Sequence, residues 1–93
     1  MDRINQTRNI ITTTVMTLEI ISAQEVLFRG EADMVTLPGA MGSFTVLKNH
    51  ASLISVLNEG KVKYITSDGN AGEAQISGGL ADVHNNVVSV CVY

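Results

Sequence analysis

Tryptophan is absent, and two tyrosines and two phenylalanines are the only aromatic residues in the 93. Platforms for carbohydrate and stacking grooves for single-stranded nucleic acid are built from aromatic rings, so both classes are disfavoured. Cation is scarce as well: six Lys and Arg stand against nine Asp and Glu, a formal charge of -3 with a pI near 5.1. Nonspecific nucleic-acid binding needs lysines and arginines that displace counterions from phosphates, and this chain is a poor source of them. The single cysteine, Cys91, excludes an internal disulfide, and one thiol with two histidines supplies too few ligands for a dedicated zinc site. A reducing, cytoplasmic setting fits. No run approaches the roughly 18 to 20 apolar residues that cross a bilayer as a helix. The opening MDRINQTRNIITTTV is too broken by Asn, Gln and Thr to form a signal-peptide core. Any association with a membrane is therefore expected to run through other proteins.

What remains is one small domain. A chain of this length buries only roughly 60 to 65 % of the surface its unfolded form exposes, so partner surfaces would add usefully to its stability inside an assembly. Residues 1–15 are polar and without periodicity and read as a flexible N-terminal extension, with Met16 a candidate natural start; the competing reading makes Ile10 to Val15 an edge strand. From Met16 to residue 93 the chain reads as short strands punctuated by turns. Thr17 to Ser22, Val26 to Phe28, Asp33 to Leu37 and Phe44 to Leu47 are strand-like, and Pro38 with Gly39 ends the third of these. Ser52 to Leu57 is apolar on both alternating faces, with Ile54 and Val56 on one and Leu53 and Leu57 on the other, which predicts burial from two sides or cover by a partner. Val62 and Tyr64 alternate with Lys61 and Lys63, which should face water; Asp68-Gly69 and Asn85-Asn86 mark tight hairpins on either side of Glu73 to Ser77 and Leu80 to His84. Val87 to Val92 is the last strand, and no segment after Met16 has the spacing and caps of a helix. The fold class is all-β: a small flattened β-sandwich or barrel of about 8–10 short strands, with no C-terminal helical domain.

Residues that could carry chemistry are few. His50 titrates near neutrality, but no Cys, or Asp with Ser, completes a nucleophilic arrangement around it in sequence, and a structural or interface role is the better reading. His84 reads as a surface residue, and Cys91, between Val90 and Val92, as a small packed hydrophobe. Gly39 and Gly42 flank Ala40 and Met41 in a loop that lacks the Lys-Ser/Thr continuation and helix of a phosphate cradle. Met41 and Phe44 either fold back on the core or stand out as contacts; Gly78 and Gly79 suggest a bulge or kink. No catalytic residue, metal ligand or cofactor site is expected.

The order TLEIISAQEVLFRGEADMVTLPGAMGSFTVLKNHASLISVLNEGKVKY, followed by ISGGLADVHNNVVSVCV, resembles the N-terminal β-sandwich of the epsilon subunit of bacterial F-type ATP synthase, called delta in mitochondria. The motifs that carry it are SAQEVLFRGEA, GSFTVLKNHA and SGG, in that order, and the likeness runs from about Met16 to the C-terminus. The family usually has glycine where Thr45 stands and proline-glycine where Lys48 and Asn49 stand. The resemblance implies a central-stalk rotor subunit of the proton-translocating enzyme, peripheral on the cytoplasmic face of the bacterial inner membrane, that couples ion flow to ATP synthesis without chemistry of its own. It implies that the loop holding Ala40, Met41, Gly42, Ser43 and Phe44 meets the polar loops of the c ring, and that Ser22, His50 and Ser55 meet the gamma subunit. The family loop often carries acidic side chains that are missing here. Most members continue into a helical hairpin that inhibits ATP hydrolysis; Val90 to Tyr93 read as a finished last strand, so this chain is expected to lack that arm. Outside the resemblance, the competing classes are a free-standing β-sandwich module for carbohydrate or peptide, a small nucleic-acid-binding barrel, and an enzyme.

Overall fold

The computed structural model describes residues 14–93, which form eight strands and, among the described residues, no helix. They are β1 (Met16–Ile21), β2 (Val26–Leu37), β3 (Phe44–Leu47), β4 (Leu53–Leu57), β5 (Gly60–Thr66), β6 (Ala71–Ile76), β7 (Gly79–His84) and β8 (Val87–Val92). Of the N-terminal segment, Thr14 and Val15 are exposed and irregular, and residues 1–13 lie outside the described residues, as does most of the alternative strand Ile10 to Val15.

The strands join in one sheet of order β4-β7-β8-β1-β2-β5-β6, with β3 on β2. All pairs are antiparallel except β1 with β8, which places the first and last strands side by side in the middle of the sheet. The sheet does not close, since β4 and β6 are its two ends, and so it is a folded sandwich and not a barrel.

β2 makes the fold. Its first half pairs with β1 as far as Met16↔Ala32; beyond that point β3 takes over the same edge from Met34↔Leu47, while β5 pairs on the opposite edge. A register shift between Ala32 and Met34 marks the crossing, where an extra residue bends a strand and raises its twist. The sequence reads Val26 to Phe28 and Asp33 to Leu37 as separate strands, with Arg29, Gly30 and Glu31 in neither. Instead these three continue the ladder: Arg29 and Glu31 lie opposite Glu19 and Thr17, and Gly30 lies under the ring of Phe28.

Strict alternation builds the core. Met16, Leu18 and Ile20 of β1, Ala81 and Val83 of β7, and Val88, Val90 and Val92 of β8 point inward from one layer. Val35 and Leu37 of β2, Val46 of β3, Val62 of β5 and Ile76 of β6 meet them from the other, in one cluster. Valine and isoleucine dominate because branched side chains fill a pleated surface with little loss of rotamer freedom. The Asn85-Asn86 hairpin has φ of 50° and 62°, and Gly69 after Asp68 has φ 90°, as those turn sequences require.

Candidate interaction surface

The loop between β2 and β3 is fixed at its base and open at its tip. Ala40 donates its backbone N–H to the Val56 carbonyl (2.8 Å), Asn58 donates to the Pro38 carbonyl (2.8 Å), and Gly42 donates to Gly39 (3.0 Å). Gly39 also bridges Leu57. A Cβ on Gly39 would stand 2.7 Å from the Gly42 carbonyl oxygen and 2.8 Å from the Phe44 ring, so only glycine fits there. Phe44 is thus folded onto Gly39 and packs against the core, whereas Met41 is fully exposed. Of the five loop residues singled out in the sequence, Ala40, Met41, Gly42 and Ser43 form one exposed tip and Phe44 is its support.

Ser22, His50 and Ser55 are not neighbours. Ser22 closes the β1–β2 turn, where its Oγ accepts from the backbone N–H groups of Gln24 and Glu25 (both 3.3 Å). His50 follows β3, with Nδ1 2.7 Å from the Ala51 carbonyl oxygen. Ser55 lies opposite Ala81 on the half-buried side of β4, and its hydroxyl donates to the Val56 carbonyl (3.2 Å). Ser22 and Ser55 belong to the layer of β4, β7, β8 and β1, and His50 lies on the connection that leads into it from β3.

The feature that joins this layer into a surface was missed from the sequence. Direct cross-strand partners run Val56↔Leu80, Leu80↔Cys91, Cys91↔Ile21 and Ile21↔Val26, an apolar row over β4, β7, β8, β1 and β2 on the outer face. Ile54 extends it; Ile54, Val56 and Leu80 are 74 %, 56 % and 48 % exposed. The next row is polar, with Asp82, Ser89, Glu19 and Arg29, the last two joined by an ion pair. One expectation changes here and another narrows. Cys91 is exposed, because β8 turns Val88, Val90 and Val92 inward and therefore sends Cys91 out. Of the two alternatives for β4, burial from both sides is not met among the described residues, because β4 is an end strand whose second apolar face has no described layer over it, which leaves cover by a partner. Strand parity, counted from the valines of β8, was the signal that could have revealed the row.

At the far end from Ile21, Asn49 and Asn86 clasp two loops together. The Asn49 backbone N–H donates to Asn86 Oδ1 (2.6 Å), and Asn86 Nδ2 donates to Asn49 Oδ1 (3.0 Å). Both residues have left-handed φ, 66° and 62°. Beside them Ser52 Oγ and His84 Nδ1 are 3.1 Å apart. On the other layer a shallow groove of about 420 Å³ runs between Met34, Ile65, Lys63 and Glu73. Among the described residues no group of His, Cys, Asp and Glu is placed to hold a metal ion.

Comparison with known proteins supplies the class. Residues 15–93 match the family described as the ATP synthase, Delta/Epsilon chain, beta-sandwich domain, and the chain belongs to that family. The curated relatives are epsilon chains. That of Chlorobaculum tepidum is 43 % identical over 70 residues, which are 75 % of this chain and 80 % of that one. That of Bordetella petrii is 38 % identical over 73 residues, 78 % of this chain and 52 % of the relative. The chain therefore spans about half the length of several of the curated relatives it matches. Among solved structures, the Euglena gracilis mitochondrial ATP synthase with OSCP, F1 and c-ring superposes with a TM-score of 0.79 at 22 % identity, over 85 % of this chain and 51 % of that one. The central stalk and c-ring of Tetrahymena thermophila mitochondrial ATP synthase gives 0.69 at 17 %, over 83 % and 62 %. At those identities the likeness is one of fold.

Proposed function

We propose that these residues are the coupling module of an ATP synthase epsilon chain, a non-catalytic rotor subunit that joins the gamma subunit to the c ring of the proton-translocating enzyme. The observation that carries this reading is the adjacency of two unlike exposed surfaces: the apolar row ending at Val56, and the Met41 tip whose base is hydrogen-bonded to Val56 itself. The row suits a broad, desolvated contact of the kind that holds subunits together, and we assign it to gamma, with Ser22 at its Ile21 end. A gamma contact that also takes His50 and Ser55 extends past the row, to the Asn49 end of the layer and to the inner side of the β4 edge. The tip suits a small contact with the polar loops of the ring through Ala40, Met41, Gly42 and Ser43, with Phe44 bracing it from beneath.

Torque passes between two such contacts without slip only if the material between them is stiff. Here Ala40 and Val56 are one hydrogen bond apart, so ring contact and stalk contact share a backbone ladder with no hinge between them. The module holds no cofactor in this reading, performs no hydrolysis and reaches the membrane only through the ring, on the cytoplasmic face in a bacterium.

The test is capture of the matching gamma subunit and c ring by three forms of the chain. Wild type should take both. Met41→Asp should keep gamma and lose the ring, and Leu80→Asp should lose gamma. Folded wild type that takes neither partner would end the proposal. Phe44 is left unchanged because it packs on the core, so a charge there would confound contact with folding.

A further inference from the structure

Four chain segments, not one, build the corner that carries Met41. Asn58 is tied to Pro38, and Gly60 lies so close that a Cβ on it would be 3.0 Å from the Pro38 Cβ. Glu59 stands between them, exposed, on the turn that props the base of the loop. The third segment is the β6–β7 link: Gly78 lies against the Leu57 carbonyl and the ring of Tyr93, whose N–H donates to Gly78 (3.2 Å). Tyr93 is 85 % exposed. Residues 38–43, 56–60, 77–79 and 91–93 hold one charged side chain, Glu59, and no Lys, Arg or His.

Three carboxylates of the sheet are neutralised by a facing cation. Glu19 pairs with Arg29, Asp33 with Lys48 (3.2 Å) and Glu73 with Lys61 (3.3 Å). Glu59, like Glu25, Glu31, Asp68 and Asp82, has no such partner among the described residues; what sets it apart is its place in a corner with no other charged side chain. Its neighbour Lys61 is held by Glu73 on the adjacent strand. The result is an isolated negative charge on the border of an apolar tip, the arrangement by which interfaces gain orientation and association rate more than affinity.

We infer that Glu59 is a specificity residue of the tip contact: with Met41 it takes a partner loop that sets a basic side chain beside apolar surface. This rests on the reading above, in which that partner loop belongs to the c ring. It places the acidic contribution of the contact on the β4–β5 turn, outside the loop of residues 38–43, which has no carboxylate of its own.

The experiment measures association of the chain, assembled with gamma, to the detergent-solubilised c ring at low and at high salt. Glu59→Lys should slow association on the order of three- to tenfold at low salt, with Glu59→Gln between it and wild type. The differences should fade at high salt, where exposed charges are screened. Asp68→Lys makes the same change of net charge on the separate β5–β6 turn and should have a clearly smaller effect. Glu59→Lys with wild-type kinetics, or Asp68→Lys slowed as much, would overturn the inference. Met41→Asp separates the two levels. Loss of association there with no effect of Glu59→Lys removes only the role of Glu59, whereas no effect of Met41→Asp removes the ring-facing tip and this inference with it.

Discussion

Single positions differ sharply in what they tolerate, and the structure states the difference in ångströms. A Cβ on Gly79 would lie 2.1 Å from the Cys91 carbonyl oxygen and 3.0 Å from the Val92 Cα, both backbone atoms of the neighbouring strand. Nothing there can rotate aside, so Gly79→Ala is expected to cost at least about 2 to 3 kcal/mol by forcing β7 from β8. Met41→Asp, at a side chain that touches nothing, should leave the same urea transition in place. A Gly79→Ala protein with an unshifted midpoint would show that β7 and β8 separate easily, and the close pairing described here would be wrong. From sequence, Gly78-Gly79 reads only as a bulge or kink; how close the strands come depends on Cys91, 12 residues on, which no local pattern reports. Cys91 itself was misjudged for a related reason: residue type predicts burial on average, but parity within its strand decides it.

Elements were legible where their signals are local and obscure where they are not. The Asn85-Asn86 hairpin, the Asp68-Gly69 turn and the inward valines of β8 follow from turn chemistry and period-2 alternation. The continuity of β2 was hidden because it is long-range pairing with β1 that holds Arg29-Gly30-Glu31 extended. The Asn49–Asn86 clasp was equally hidden, joining residues 37 apart. The bond between the two side chains can be isolated by a double-mutant cycle on Asn49→Gly and Asn86→Gly, since glycine accepts the same left-handed φ and at position 49 keeps the backbone N–H that Asn86 Oδ1 accepts. A coupling of about 0.5 to 1 kcal/mol between the two changes is expected for partly exposed hydrogen bonds of this kind. Additive effects in chemical denaturation would mean that the bond between the two side chains contributes nothing and that the Asn49 backbone N–H and packing hold the loops. With the clasp broken, the sheet should stay intact, while amides of residues 48–52 lose protection from hydrogen exchange.

At the scale of the whole molecule, the placement of β1 and β8 in the middle of the sheet makes the sandwich depend on contacts between its two ends. Such topologies fold slowly, because the chain must close long loops before it gains core contacts. The layer that results carries an outer face that is apolar from Val26 to Val56. The sequence held half of this information. Two apolar faces on Ser52 to Leu57 demanded cover, from a second layer or from a partner, but nothing in the residues said that no described element would supply it. A partner that covers the row binds only the folded state, and must raise its stability by RT ln(1 + [L]/Kd), about 2.7 kcal/mol at a hundredfold excess over Kd. The thermal midpoint of the chain should therefore climb with added gamma subunit. Leu80→Asp, a change at a half-exposed position, should leave the free midpoint near that of wild type and abolish the climb. Were the variant still stabilised by gamma as strongly as wild type, the apolar row would not be the face that gamma covers. Were wild type not stabilised at all, gamma would not be the partner.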